Sequence, residues 1–167
     1  MLKPAIKPNV WIGVDPGVTG AIGWVTDADE VGVADMPALA VKDSRRECQP
    51  HLMVDILRYL DQQYHVQGYA VEKTHAMPKQ GVSSMFSMGD SQGCARSVGA
   101  ALGWRVERPT PQAWMKVMFA GRQKRAKDAS RALVCELWPK AHELVKLVKH
   151  HNRAEAILIA EWLRRTQ

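Results

Sequence analysis

Three carboxylates stand where charge is ordinarily rejected. Asp15 follows the apolar run Trp11-Ile12-Gly13-Val14 in "WIGVDPGVTG", Glu72 closes "QGYAVE", and Glu155 lies among Ala154, Ala156, Ile157 and Ile159 in "HHNRAEAILIAEW". An ionised carboxylate at the end of a buried strand, or on an apolar helix face, is costly unless a cation meets it. Carboxylate oxygens suit Mg²⁺ or Mn²⁺, whereas a soft metal prefers sulfur. Two such ions about 3.5–4 Å apart can clamp the attacking and leaving oxygens of a phosphodiester. His151 stands four residues before Glu155 and Asn152 three before, so a helix puts both on its face. Each acid also has a purely structural role open to it. Asp15 could begin an Asx turn with Pro16, Glu72 could pair with a lysine, and Glu155 with Arg153. Their joint occurrence at two strand ends and one apolar helix face favours a shared cation.

These side chains need a scaffold that brings them together. Residues 10–15, 20–26 and 30–36 read as three strands, and the proline-bracketed, charged stretch 37–50 as a loop. Helical spacing runs over 51–63, followed by a strand at 67–72, a Ser/Gly/Ala-rich helix at 83–102 and a strand at 104–107. Helices are expected at 110–118, 125–137 and 152–165, with Phe86 and Trp114 in the core. The alternation predicts one α/β domain over 1–167, a mixed sheet with helices on both faces. Asp15 and Glu72 then end strands that, if neighbours, lie about 4.8 Å apart.

A chain of 167 residues is long enough for a real core, and 46% hydrophobic content fits a globular protein. No apolar run reaches the roughly 20 residues of a membrane span. The N-terminal "MLKPAIKPNV" lacks a signal-peptide core, which predicts an intracellular, cytoplasmic protein. Cys48, Cys94 and Cys135 are odd in number and widely spaced, against a disulfide framework or thiolate zinc site. The net charge of +6 is unevenly placed: residues 1–119 hold 12 Lys/Arg and 12 Asp/Glu, whereas 120–167 hold 11 and 5. A basic block of this kind suits a polyanion such as a phosphate backbone.

The segments "GVDPGVTGAIG", "AVEKTH" and "RAEAILIA", in this order, resemble the RuvC family of Holliday-junction resolvases, members of the RNase H-like superfamily. The likeness spans nearly the whole chain and includes "SSMFSMGDSQGCARSVGAAL" and "TPQAWMKVMFAGRQKRAKDAS". It implies an RNase H-like five-stranded sheet and a Mg²⁺- or Mn²⁺-dependent endonuclease, with two ions, that cuts four-way DNA as a homodimer. It makes Asp15, Glu72 and Glu155 metal ligands. The family's further ligand, three residues before the last acid, falls on Asn152 here, a departure. His151 is the alternative, and its imidazole would favour Mn²⁺. Lys127 matches a catalytic-site lysine, with Lys116, Arg122, Lys124 and Arg125 as neighbouring DNA contacts. His75 and Met77 fall on the loop that reaches the junction centre, and the helix at 83–102 is the candidate dimer interface. Three rival readings remain: a nuclease of this fold acting on other branched DNA or RNA, a non-catalytic junction-binding protein, and a small sugar kinase or ATPase suggested by the DxGxTG turn.

Overall fold

The computed structural model describes residues 7–41, 45–75, 81–122 and 128–167. Apolar alternation builds β1 (Asn9–Asp15), β2 (Ala21–Thr26) and β3 (Val31–Asp35) into an antiparallel meander. The stretch expected to be a loop instead forms a small antiparallel pair, β4 (Ala38–Ala40) with β5 (Arg46–Cys48). Three-residue strands are too short for alternation to show, and the buried ends Ala38 and Cys48 are what anchor them. Helix α1 (Pro50–Gln63) follows, with proline in its first turn, where a missing N–H costs nothing.

Strand β6 (His65–Val71) joins β1 in parallel, α2 (Val82–Ala101) crosses back, and β7 (Val106–Glu107) pairs with β6. The remaining chain is helical: α3 (Pro111–Met118), α4 (Ala129–Leu137), α5 (His142–Val145) and α6 (His151–Thr166). The main sheet has the order β3-β2-β1-β6-β7, the expected five-stranded mixed sheet. Ile12, Val14, Ile22 and Tyr69 pack with Met53 and Leu57 of α1 on one face. Val25 and Ala70 pack with Trp114, Val134 and Ile157 on the other. No helix among the described residues is long and apolar enough to cross a membrane.

One close approach sets the geometry of the site. Gly13 and Gly23 face each other across β1 and β2. A Cβ at Gly13 would lie 2.4 Å from the Ala160 backbone nitrogen, and one at Gly23 2.4 Å from that of Ile157. The missing side chains let α6 lie directly on the sheet.

Candidate active site

Parallel pairing aligns Val14 with Val71, and the Glu72 N–H donates to the Val14 carbonyl at 2.9 Å. Asp15 and Glu72 therefore sit at the same height on adjacent strands. With side chains alternating along a strand, both point to the face that Gly13 presents to α6. Glu155, one turn into α6, completes the cluster. The chain leaves β1 through a tight turn in which Gly17 adopts φ 131°, open to glycine but strained for other residues, and the Gly20 N–H bonds the Gly17 carbonyl at 2.9 Å.

The three acids repel one another. Burial, then Glu72, then Glu155, pushes the Asp15 carboxyl well above the ordinary range. Burial and Glu72 raise Glu155, partly offset by His151 and the Ser130 hydroxyl, whose oxygen lies 3.5 Å away. Burial raises Glu72, opposed by Trp114, whose indole N–H donates to Oε1 at 2.7 Å. None of the structural alternatives operates among the described residues. Glu72 takes a tryptophan rather than a lysine, and Arg153 forms two bonds to Asp35 instead of Glu155.

His151 and Asn152 occupy the first turn of α6 and line, with Asp15, Thr19, Ser87 and Met88, a cleft of about 470 Å³. Their roles diverge. The Asn152 amide donates to the Thr19 carbonyl at 2.7 Å, pinning the Asp15–Gly20 turn to α6. His151 is exposed and within electrostatic reach of Glu155. Among the described residues, no group of three or more His, Cys, Asp or Glu side chains is placed so that it could hold a metal ion. The pair Asp15 and Glu72 alone still suits a hard ion, because Mg²⁺ is usually held by one or two carboxylates and keeps several waters.

Other expected contacts fare unevenly. Lys116 is exposed on α3, and His75 is exposed beyond β6. Arg122 is engaged by Glu136 through both guanidinium nitrogens, one bond being 2.7 Å, so it is not an unpaired cation. Met77, Lys124, Arg125 and Lys127 lie outside the described residues. Phe86 is 78% exposed rather than in the core. Trp114 is buried as expected, but its bond to Glu72 was not foreseen. Neither was Gln92 of α2, whose amide donates to the Glu72 carbonyl at 3.2 Å and the Thr74 hydroxyl at 2.7 Å while accepting from Arg108 at 3.1 Å. An aromatic at helical spacing and a lone glutamine carry no sequence signal for such duties.

No protein-family model and no curated protein matches this sequence. Solved structures do match. Thermus thermophilus RuvC in complex with a Holliday junction substrate aligns with a TM-score of 0.57 at 17% identity, over 93% of this chain and 94% of that one. The chain has a RuvC-type fold. A second Thermus thermophilus RuvC structure gives a TM-score of 0.53 at 18% identity, over 93% and 95% of the two chains. The yeast mitochondrial Holliday junction resolvase gives 0.56 at 13% identity, over 97% of this chain and 80% of that one. Within this RuvC-type fold, the carboxylate cluster lies where the C-terminal ends of β1 and β6 meet α6.

Proposed function

We propose that this protein is a divalent-metal-dependent endonuclease that resolves four-way DNA junctions by paired phosphodiester hydrolysis, in recombination, repair or phage DNA processing. The observation that carries this reading is the placement of Asp15 and Glu72 at one height on adjacent strands of a RuvC-type fold, within electrostatic reach of Glu155 on α6, none of them in an ion pair with a described residue. Mg²⁺ or Mn²⁺ bound there would lower the pKa of a water and stabilise the leaving oxygen. Asp15 and Glu72 would hold the ion, with Glu155 as a further oxygen donor. Trp114 occupies one side of Glu72 Oε1 and so fixes how that carboxylate presents its other oxygen. His151, rather than Asn152, is the fourth functional residue: it is exposed in the cleft, where its imidazole can act as a general acid or base toward the attacking water. The Asn152 amide is committed to the turn, which suits a positioning role. Lys127 would neutralise the scissile phosphate, and the basic block around Lys116, Lys124 and Arg125 would add backbone contacts.

A junction with near two-fold symmetry suits a two-fold dimer. Val82 and Phe86, 79% and 78% exposed near the start of α2, support pairing of two chains through this helix. The test is cleavage of a synthetic four-way junction with Mg²⁺ or Mn²⁺. Wild type should cut two strands, and Asp15→Asn should bind the junction at least as tightly while cutting none. Metal-dependent cutting by a folded Asp15→Asn protein would refute the assignment.

A further inference from the structure

A second hollow, about 380 Å³, adjoins the carboxylate cleft and shares Val18, Thr19, His151 and Asn152 with it. It lies between the β4–β5 pair, which contributes Arg46, and the turn of 3-10 helix leading into α6 (Val148–His150), which contributes Lys149 and His150. Its charge is lopsided. Asp35 is its one acid among the described residues, and Arg153 neutralises it through Nε and Nη2, both at 2.6 Å. Arg46 and Lys149 form no ion pair with a described residue. Arg46 Nη2 donates to the Ala38 carbonyl at 2.7 Å, which steadies the guanidinium and leaves its other N–H groups for a ligand. His150 is 8% exposed, and its Nδ1 accepts from the Leu147 N–H at 3.4 Å, so its remaining donor is Nε2.

Among the described residues, the lining includes no phenylalanine, tyrosine or tryptophan. It offers cations and N–H donors but no stacking platform, so it suits a phosphate rather than a base. The geometry points to this hollow as a subsite for a backbone phosphate of the cleaved strand, a neighbour of the phosphate in the carboxylate cleft, gripped by Lys149 and Arg46. This rests on the nuclease reading above. Such a subsite holds the strand in register without reading its sequence, and its cations are different residues from those of the basic block at 116–127.

The experiment compares wild type, Lys149→Ala and Arg46→Ala/Lys149→Ala for binding a fluorescent four-way junction in EDTA, by anisotropy across a salt series. The Lys149 side chain forms no hydrogen bond or ion pair with a described residue, so its single variant tests the site even if loss of Arg46 loosens β4–β5. The expected result is affinity weakened about tenfold, with the log–log salt slope reduced by about 0.9 per lost phosphate contact. Cleavage by the variants should fall at low junction concentration and recover as the junction is saturated. Neutral methylphosphonate linkages placed one at a time near the cut should identify a position that weakens wild type but leaves Lys149→Ala no weaker. Unchanged affinity and slope in both variants, or equal sensitivity to every methylphosphonate, overturns the subsite. Failure of the wild type itself to bind the junction overturns the nuclease reading and the subsite with it, an outcome the variants alone cannot produce.

Discussion

Removing the charge of Asp15 should stabilise the metal-free protein. Asp15 is 8% exposed and has no hydrogen-bonding or ionic side-chain partner among the described residues, and Glu72 and Glu155 add like charge. The desolvation cost of a buried ion is several kcal/mol, and a share of about 2 kcal/mol recovered by Asp15→Asn corresponds to about 4–8 °C in Tm for a domain of this size. The pH dependence has a definite sign. Because the folded carboxyl sits well above its ordinary value, the folded chain holds the proton more tightly than the unfolded chain. The stability this lends is complete below the ordinary carboxylate range and is lost as pH rises through the raised folded value. The advantage of asparagine should therefore be absent near pH 4, grow through that window and level off above it. The assay is thermal unfolding in EDTA from pH 4 to 8, repeated with Mg²⁺, which should stabilise wild type more than the variant and narrow the gap. An Asp15→Asn protein no more stable than wild type at pH 8, in EDTA, would refute the idea that the acids are held apart from any cation.

Two further outcomes follow from particular contacts. Trp114→Phe keeps most of the ring but loses the N–H to Glu72. A hydrogen bond to a charged group contributes about 1.5–3 kcal/mol, so the Mg²⁺ concentration for half-maximal cleavage should rise at least about tenfold. In wild type, the Trp114 indole N–H resonance should move when Mg²⁺ is added, and a half-saturation unchanged within about twofold would deny Trp114 this role. His151→Ala should lose about 10²-fold or more in cleavage rate at saturating metal with little change in Tm, whereas Asn152→Ala should lower Tm by releasing the Thr19 carbonyl and retain more activity. The reverse pattern would give Asn152 the catalytic part.

The carboxylates were legible because a charged side chain closing an apolar run contradicts its surroundings, and the contradiction is visible one residue at a time. Asp15 and Glu72 then met at equal height because parallel register aligned Val14 with Val71. The supporting contacts were not legible. Trp114 satisfies the rule for a core aromatic and holds Glu72 as well, and only its position in space separates the two duties. Phe86 was misplaced because α2 carries small residues on all sides. Its buried face is Ser91, Gln92, Ala95, Val98 and Gly99, which leaves no apolar stripe to show which way the helix turns. Asn152 is a departure at a ligand position in the sequence, and the partner that explains it, the Thr19 carbonyl, is 133 residues away.

The paired glycines of β1 and β2 have a consequence for how such a site can change. The atoms nearest a side chain at Gly13 or Gly23 would be backbone atoms of α6, yet the helix these glycines admit carries Glu155 while the strand beneath carries Asp15. They act as a shim of zero thickness. Adding one methyl at either position would have to lift the helix, and the gap between two carboxylates on opposite layers would widen with it. The radius of any cation those oxygens share is thus written partly at positions that never meet it, and the site can be retuned by substitutions that leave every ligand in place.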